Sequence, residues 1–167
     1  LNVVPNSPKI RDIRKATLEL ILSNHDRRCV TCIRNQNCAL QALADKLNVR
    51  EISYDGVPKG LPLDNISKSI VRDNNKCILC RRCIAACNKI QTVGAINVME
   101  RGYETIVSTA DHRSIADVNC VNCGQCINVC PVGALYEKDN TQVVWDAIKD
   151  PDKYVIIQTA PSVRAGI

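Results

Sequence analysis

The stretches "CILCRRCIAACNKIQTVGAI" (77–96) and "CVNCGQCINVCPVGAL" (120–135) decide the fold of this chain. Laid one on the other, Cys77, Cys80, Cys83 and Cys87 match Cys120, Cys123, Cys126 and Cys130, each pair 43 residues apart. The Val-Gly-Ala that follows repeats as well, at 93–95 and 132–134, with four extra residues in the first copy. A duplicated C-x2-C-x2-C-x3-C is the pattern for two [4Fe–4S] clusters. Three closely spaced cysteines let one loop wrap a cubane and present three sulfurs to it. The fourth lies on the helix that begins there, points away and ligates the other cluster. The spacing thus assigns Cys77, Cys80, Cys83 and Cys130 to one cubane, and Cys120, Cys123, Cys126 and Cys87 to the other. Pro131 follows the fourth cysteine of the second copy; Asn88 stands there in the first, a departure that costs no ligand.

This is the signature of bacterial ferredoxins. Zinc fits it poorly, because zinc sites use paired C-x2-C units well separated in sequence. Composition points the same way. Cysteine supplies eleven of 167 residues, against five aromatics (Tyr54, Tyr103, Tyr136, Trp145, Tyr154) and no Phe. A chain so poor in large side chains needs staples. Disulfides are the ordinary staple, but the count is odd, no apolar signal peptide is visible and the cysteines sit in tight runs. No stretch reaches the roughly 18–20 apolar residues of a membrane span. A reducing, cytoplasmic setting is expected.

The formal charge is +5, which by itself would suggest nucleic acid or a membrane surface. Metal-bound thiols are deprotonated. Eleven thiolates and three cofactors of about 2+ each bring the sum to about zero, so the basic balance is a counterweight to cofactors. No run of five Lys/Arg argues for nucleic acid.

Eight cysteines are used by the repeat. Cys29, Cys32 and Cys38 remain, in "HDRRCVTCIRNQNC" (25–38), spaced H-x3-C-x2-C-x5-C. A cubane needs four ligands, and His25 completes the set, so that twelve ligands make three fours. A zinc site of three cysteines and one histidine is the local competitor; the company of two iron–sulfur motifs favours iron. His112 reads as a surface or capping residue, and Arg81 and Arg82 as a solvated face.

Helices are expected around the histidine set. Ser7 can cap and Pro8 suits the first helical position. Ile10, Ile13, Thr17, Leu20 and Ile21 then share one face of a helix ending near Asn24. A second helix opens near Cys38, with Leu40, Leu43, Ala44 and Leu47 on one face. The two stripes are expected to pack together. The turn-rich "YDGVPKGLPLDN" (54–65) reads as a linker. "KSIVRD" before Cys77 reads as a strand. "AINVME" and "YETIVS" read as a hairpin turning at Arg101-Gly102, with alternation at Tyr103, Thr105 and Val107, and "GALYE" reads as a last strand. "YVIIQTA" reads as a buried parallel strand, which needs sheet neighbours on both sides.

An H-x3-C-x2-C-x5-C site followed by a two-[4Fe–4S] ferredoxin domain resembles the accessory region of [FeFe]-hydrogenases. The same order occurs in the large iron–sulfur subunit of respiratory complex I and in some NAD-linked formate dehydrogenases. "KYVIIQTAPSVRAGI" (153–167) resembles the opening of the [FeFe]-hydrogenase catalytic domain, and residues 1–25 resemble the exit of a [2Fe–2S] domain. The resemblance implies an α+β chain cut at both ends. Residues 1–8 are then the exit of an upstream [2Fe–2S] domain, 9–53 a helical domain whose cluster is held by one histidine and three cysteines, and 54–65 a linker. Residues 66–140 are a two-cluster ferredoxin domain, and 141–167 the helix and first strand of the catalytic domain. It further implies an electron relay of three [4Fe–4S] clusters. The [2Fe–2S] cluster and the catalytic H-cluster would lie outside this chain. Its partners would be flavin- and NAD(P)-binding and iron–sulfur subunits, or ferredoxin. The competing expectations are a free-standing ferredoxin-type carrier and the equivalent region of a formate dehydrogenase or complex I subunit.

Overall fold

The structure, a computed structural model, describes residues 2–166; Leu1 and Ile167, the outer ends of the first and last expected segments, lie outside them. Helices and short strands mix along the chain. Helix α1 (Pro8–Ser23) starts as its sequence dictates, with Pro8 in the first turn and the Ser7 hydroxyl accepting from the Ile10 N–H at 3.3 Å. It ends at Asn24, whose N–H bonds the Leu22 carbonyl. Helix α2 (Ala39–Lys46) follows, with Cys38 as its N-cap residue.

The buried face of α1 differs from the expected one. Ile13 is 58 % and Leu20 51 % exposed, whereas Leu18 is 2 % exposed and Leu22 packs beside it. Leu18 and Leu22 form an i, i+4 stripe of their own, next to the longer one, and the position of the ferredoxin-like unit selects between them. Leu18 meets Leu40, Val132 and Ala134 in one apolar cluster. On α2, Leu40 is buried but Leu43 faces solvent. The helices therefore meet over a third element, the segment after Cys130, rather than through two full stripes. The Ala39 N–H bonds the Pro131 carbonyl at 2.9 Å, so the start of α2 is tied to the same segment.

Strand β1 (Ile70–Arg72) pairs antiparallel with β4 (Leu135–Glu137), Val71 opposite Tyr136. Strand β2 (Asn97–Met99) pairs antiparallel with β3 (Ile106–Ser108), Val98 opposite Val107. The second arm of the hairpin is shorter than expected. Gly102–Glu104 form a 3₁₀ turn, so Tyr103 and Thr105 lie in the connection rather than in alternation with Val107. The Tyr103 hydroxyl donates instead to the Val57 carbonyl of the 54–65 segment, a bond that strand geometry would not permit.

Between β1 and β2 run α3 (Arg82–Ala85), continued by one π-type turn (Ala86–Ile90), and between β3 and β4 runs α4 (Gln125–Asn128). The π turn absorbs part of the four-residue insertion in the first copy. Cys87 sits in this π turn, and Cys130 falls two residues beyond the end of α4 rather than on it. Ile70, Ile96, Val107, Ile115 and Leu135 form the second apolar cluster, with Cys83 buried among them. Cys77 and Cys130 touch both clusters.

The 54–65 segment is more than a spacer at its end. Asp64 bridges Arg72 through both backbone bonds, at 3.0 and 2.9 Å, extending the edge of β1. Helix α5 (Thr141–Lys149) follows β4, and α6 (Pro161–Gly166) closes the described chain. Residues 154–160, expected as a buried strand, are not one: Tyr154 is 92 % and Ile157 86 % exposed, and no ladder partner exists among the described residues. An extended segment becomes a strand only by hydrogen bonding to a neighbour. Among the described residues no helix is long and apolar enough to cross a membrane.

Candidate metal centres

The two cysteine loops have the same backbone at matched positions. Leu79 and Asn122, 43 residues apart, are both left-handed, with φ of 54° and 53°. Arg81 and Gly124, also 43 apart, are left-handed at 59° and 72°. The duplication thus extends from spacing to dihedral angles. Glycine adopts this region freely, whereas an arginine is strained there. Left-handed residues within a tight loop turn successive backbone N–H groups toward one concavity, which suits an anionic centre. One such group is visible: the Leu79 N–H donates to Cys77 Sγ at 3.4 Å.

Cys77, Cys80, Cys83 and the distant Cys130 line one small cavity, together with Ile96 and Val132. Cys120, Cys123, Cys126 and the distant Cys87 line another, with Ile70 and Ile115. Each cavity takes three thiols from one loop and one from the other. Cys80 and Cys123 are the exposed members, and Cys83 is buried. The sulfurs ring a volume rather than a point; among the described residues no three His, Cys, Asp or Glu groups converge on a single ion. Burial pushes the Cys83 thiol up to about 12 and those of Cys77 and Cys126 to about 11, with the neighbouring thiols adding to it. Thiolates here therefore need an electropositive group among them, which is what a metal cluster supplies.

Cys29 opens a 3₁₀ turn (Cys29–Thr31), Cys32 ends it and Cys38 precedes α2. The Cys29 thiol is raised by burial, then by Cys32 and Cys38. His25 follows α1 directly, its N–H bonding the Leu22 carbonyl at 3.3 Å. It lines a cleft with Asp26, Tyr54, Gly56 and Asn75 that does not include the three cysteines. Its Nδ1 is buried without a hydrogen-bond partner. Burial lowers its pKa, which favours the neutral ring, the form in which imidazole binds metal.

Two residues beside these groups carry no sequence motif. Gly133 packs so closely on Cys32 that a Cβ there would stand 2.7 Å from Cys32 Sγ. The histidine–cysteine region therefore abuts the segment carrying Cys130. The second copy's Val-Gly-Ala marks a small residue but not its neighbour. Lys59 lines a cleft with Cys77 and Leu79, and nothing in its turn-rich surroundings distinguishes it from a solvated lysine. His112 pairs with Glu100 at 2.8 Å on the surface. Asn88 Oδ1 is buried without a partner, for which the structure offers no reason.

Residues 14–53 match the family described as NADH-ubiquinone oxidoreductase-G iron-sulfur binding region, and residues 76–134 match the 4Fe-4S dicluster domain. The NADP-reducing hydrogenase subunit HndD of Solidesulfovibrio fructosivorans is 44 % identical over 99 % of this chain and 28 % of that protein. Iron hydrogenase 1 of Clostridium pasteurianum is 38 % identical over 97 % of this chain and 28 % of its own length. The chain thus spans little more than a quarter of these curated relatives. Among solved structures, an NAD+-reducing [NiFe]-hydrogenase in the H2-reduced state superposes with a TM-score of 0.77. It is 26 % identical, and the match covers 83 % of this chain and 59 % of that one. Two stretches of this chain of mixed helix and sheet thus match 4Fe-4S iron–sulfur families, and along nearly its whole length it is similar to one part of an NADP-reducing hydrogenase subunit and of an iron hydrogenase.

Proposed function

We propose that the chain is the electron relay of an [FeFe]-hydrogenase catalytic subunit and carries three [4Fe–4S] clusters. Its fold is then a small helical domain, built around one histidine and three cysteines, followed by a bacterial-type two-cluster ferredoxin domain. His25, Cys29, Cys32 and Cys38 hold one cluster. Cys77, Cys80, Cys83 and Cys130 hold the second, and Cys120, Cys123, Cys126 and Cys87 the third. The observation that carries the reading is the reciprocal make-up of the two cavities, each taking its fourth thiol from the opposite loop. The histidine site rests on its place beside an incomplete cysteine set and on the buried, unpartnered Nδ1.

A cubane supplies reversible one-electron storage. The protein's own part is to hold four donors around each cavity, to aim the Leu79 N–H at a sulfur, and to keep water from the buried thiols with Ile70, Ile96, Ile115 and Val132. The parent reaction is H2 ⇌ 2 H+ + 2 e−, its electrons passing to or from NAD(P)H or ferredoxin through flavin-, NAD(P)- and iron–sulfur-binding partner subunits in the cytoplasm. The parent protein would also carry a [2Fe–2S] cluster and the H-cluster outside this stretch.

The test is metal content with two substitutions. The anaerobically prepared chain should hold about twelve iron and about twelve sulfide, three cubanes of four. Cys87→Ala should damage the centre of Cys120, Cys123 and Cys126, and Cys130→Ala that of Cys77, Cys80 and Cys83. Stoichiometric zinc, about eight iron, or damage confined to each loop's own centre would sink the assignment.

A further inference from the structure

The duplicated loops are alike in backbone but not in electrostatic surroundings. Lys59, from the 54–65 segment, reaches into a cleft that it shares with Cys77, Leu79 and Tyr103. Its Nζ donates to the Thr105 carbonyl at 2.9 Å and lies 5.1 Å from the centre of the Tyr103 ring. Tyr103 is itself pinned, its hydroxyl donating to the Val57 carbonyl and standing 3.4 Å from Asn24 Oδ1. Three segments, the end of α1, the 54–65 stretch and the β2–β3 turn, thus hold one ammonium in place.

Lys59 makes no ion pair among the described residues. A half-buried ammonium with only neutral partners is costly. Its natural counter-charge lies in the same cleft, at Cys77. No lysine or arginine lines the other cavity. A [4Fe–4S] centre on four thiolates becomes more negative by one charge when it accepts an electron, so a fixed cation beside it favours the reduced state.

We propose that Lys59 is a positioning residue for charge at the centre of Cys77, Cys80, Cys83 and Cys130, making it the more easily reduced of the duplicated pair. This rests on the cluster assignment above. Electrons on a relay then settle on the first loop's centre, the one whose segment abuts the histidine–cysteine region through Gly133 and Cys32. A unit charge at the edge of a site with an effective dielectric of about 20 shifts such an equilibrium on the order of tenfold, about 59 mV for one electron.

The experiment is a redox titration followed by electron paramagnetic resonance on the full-length holoprotein, comparing wild type with Lys59→Met, Lys59→Gln and Lys59→Arg. Lys59→Met and Lys59→Gln should lower one cubane midpoint by about tenfold in electron affinity and leave the others in place; Lys59→Arg should keep it near wild type. The signal that moves should be the one perturbed by Cys80→Ser. Unmoved midpoints in the neutral variants, an equal shift in Lys59→Arg, or movement of the Cys123→Ser-sensitive signal would overturn the proposal. If Lys59→Met loses the centre, Lys59→Gln, which can still bond Thr105, decides alone. A wild-type holoprotein without cubane signals would overturn the cluster reading itself, and this proposal with it.

Discussion

His25 is the one candidate ligand that is not a thiol, and the difference is one of charge. A neutral imidazole in place of a thiolate leaves the surroundings of a cluster one charge less negative. An added electron is then held more easily, as in the Rieske centre, where histidines raise the potential. The unpartnered ring nitrogen and the burial that favours its neutral form suit this role. His25→Cys should therefore keep the centre and lower its midpoint, and His25→Ala should lose it or leave a labile three-iron form. An unchanged or higher midpoint in His25→Cys, read by the same redox titration, would show that ligand charge does not explain the histidine. The residue scale also shows where strain is tolerated: Arg81 holds a left-handed angle that Gly124 holds freely in the other copy.

At the scale of elements, three-residue strands cannot hold themselves together, and side chains must clamp them. Arg72 on β1 is 6 % exposed and pairs with Asp64 at 3.1 Å; it also donates to the Ser108 hydroxyl on β3 and to the Arg113 carbonyl. Asp64 in turn accepts from the Ser114 hydroxyl and the Ile115 N–H, at 2.6 and 2.9 Å. One ion pair thus joins the end of the 54–65 segment, both strand pairs and the approach to the second cysteine loop. Removing one partner of a buried pair strands the other charge, at a cost of about 3–5 kcal/mol. Asp64→Ala should lower the midpoint of denaturant unfolding by about that free energy, whereas a loss below about 1 kcal/mol would mark the pair as solvent-screened. Asp45 with Arg50, an exposed pair, is the natural control and should contribute under about 1 kcal/mol.

For the molecule as a whole, the interior is thin. Its buried apolar side chains are aliphatic or small, with no aromatic among them, and Cys77, Cys87, Cys120, Cys126 and Cys130 pack around the larger cluster. Where thiols occupy the place of large apolar groups, metal-binding energy is also folding energy. Iron removal should abolish the native circular dichroism of the 66–140 region, not merely its visible absorption. Native dichroism in iron-free protein would show that the aliphatic cluster suffices. The exposed apolar residues of α5, Val143, Val144, Trp145 and Ile148, contribute nothing to this interior.

What could be read in the chain alone is local or periodic. The 43-residue repeat is a matter of counting, the start of α1 of one cap and one proline, and the strands at 70–72, 97–99 and 135–137 of short runs between turns. The cofactor class was legible for the same reason, since the ligands of one loop are neighbours in sequence. The tertiary structure decided what depends on distant partners. Two apolar stripes compete on α1, and burial falls to Leu18 and Leu22 because the segment after Cys130 lies there. Tyr103 leaves the hairpin for the Val57 carbonyl. Residues 154–160 remain unpaired, because strand propensity supplies no hydrogen-bonding neighbour. Lys59 meets Cys77, and Gly133 meets Cys32, only when the chain folds back on itself; no window of sequence contains both members of either contact.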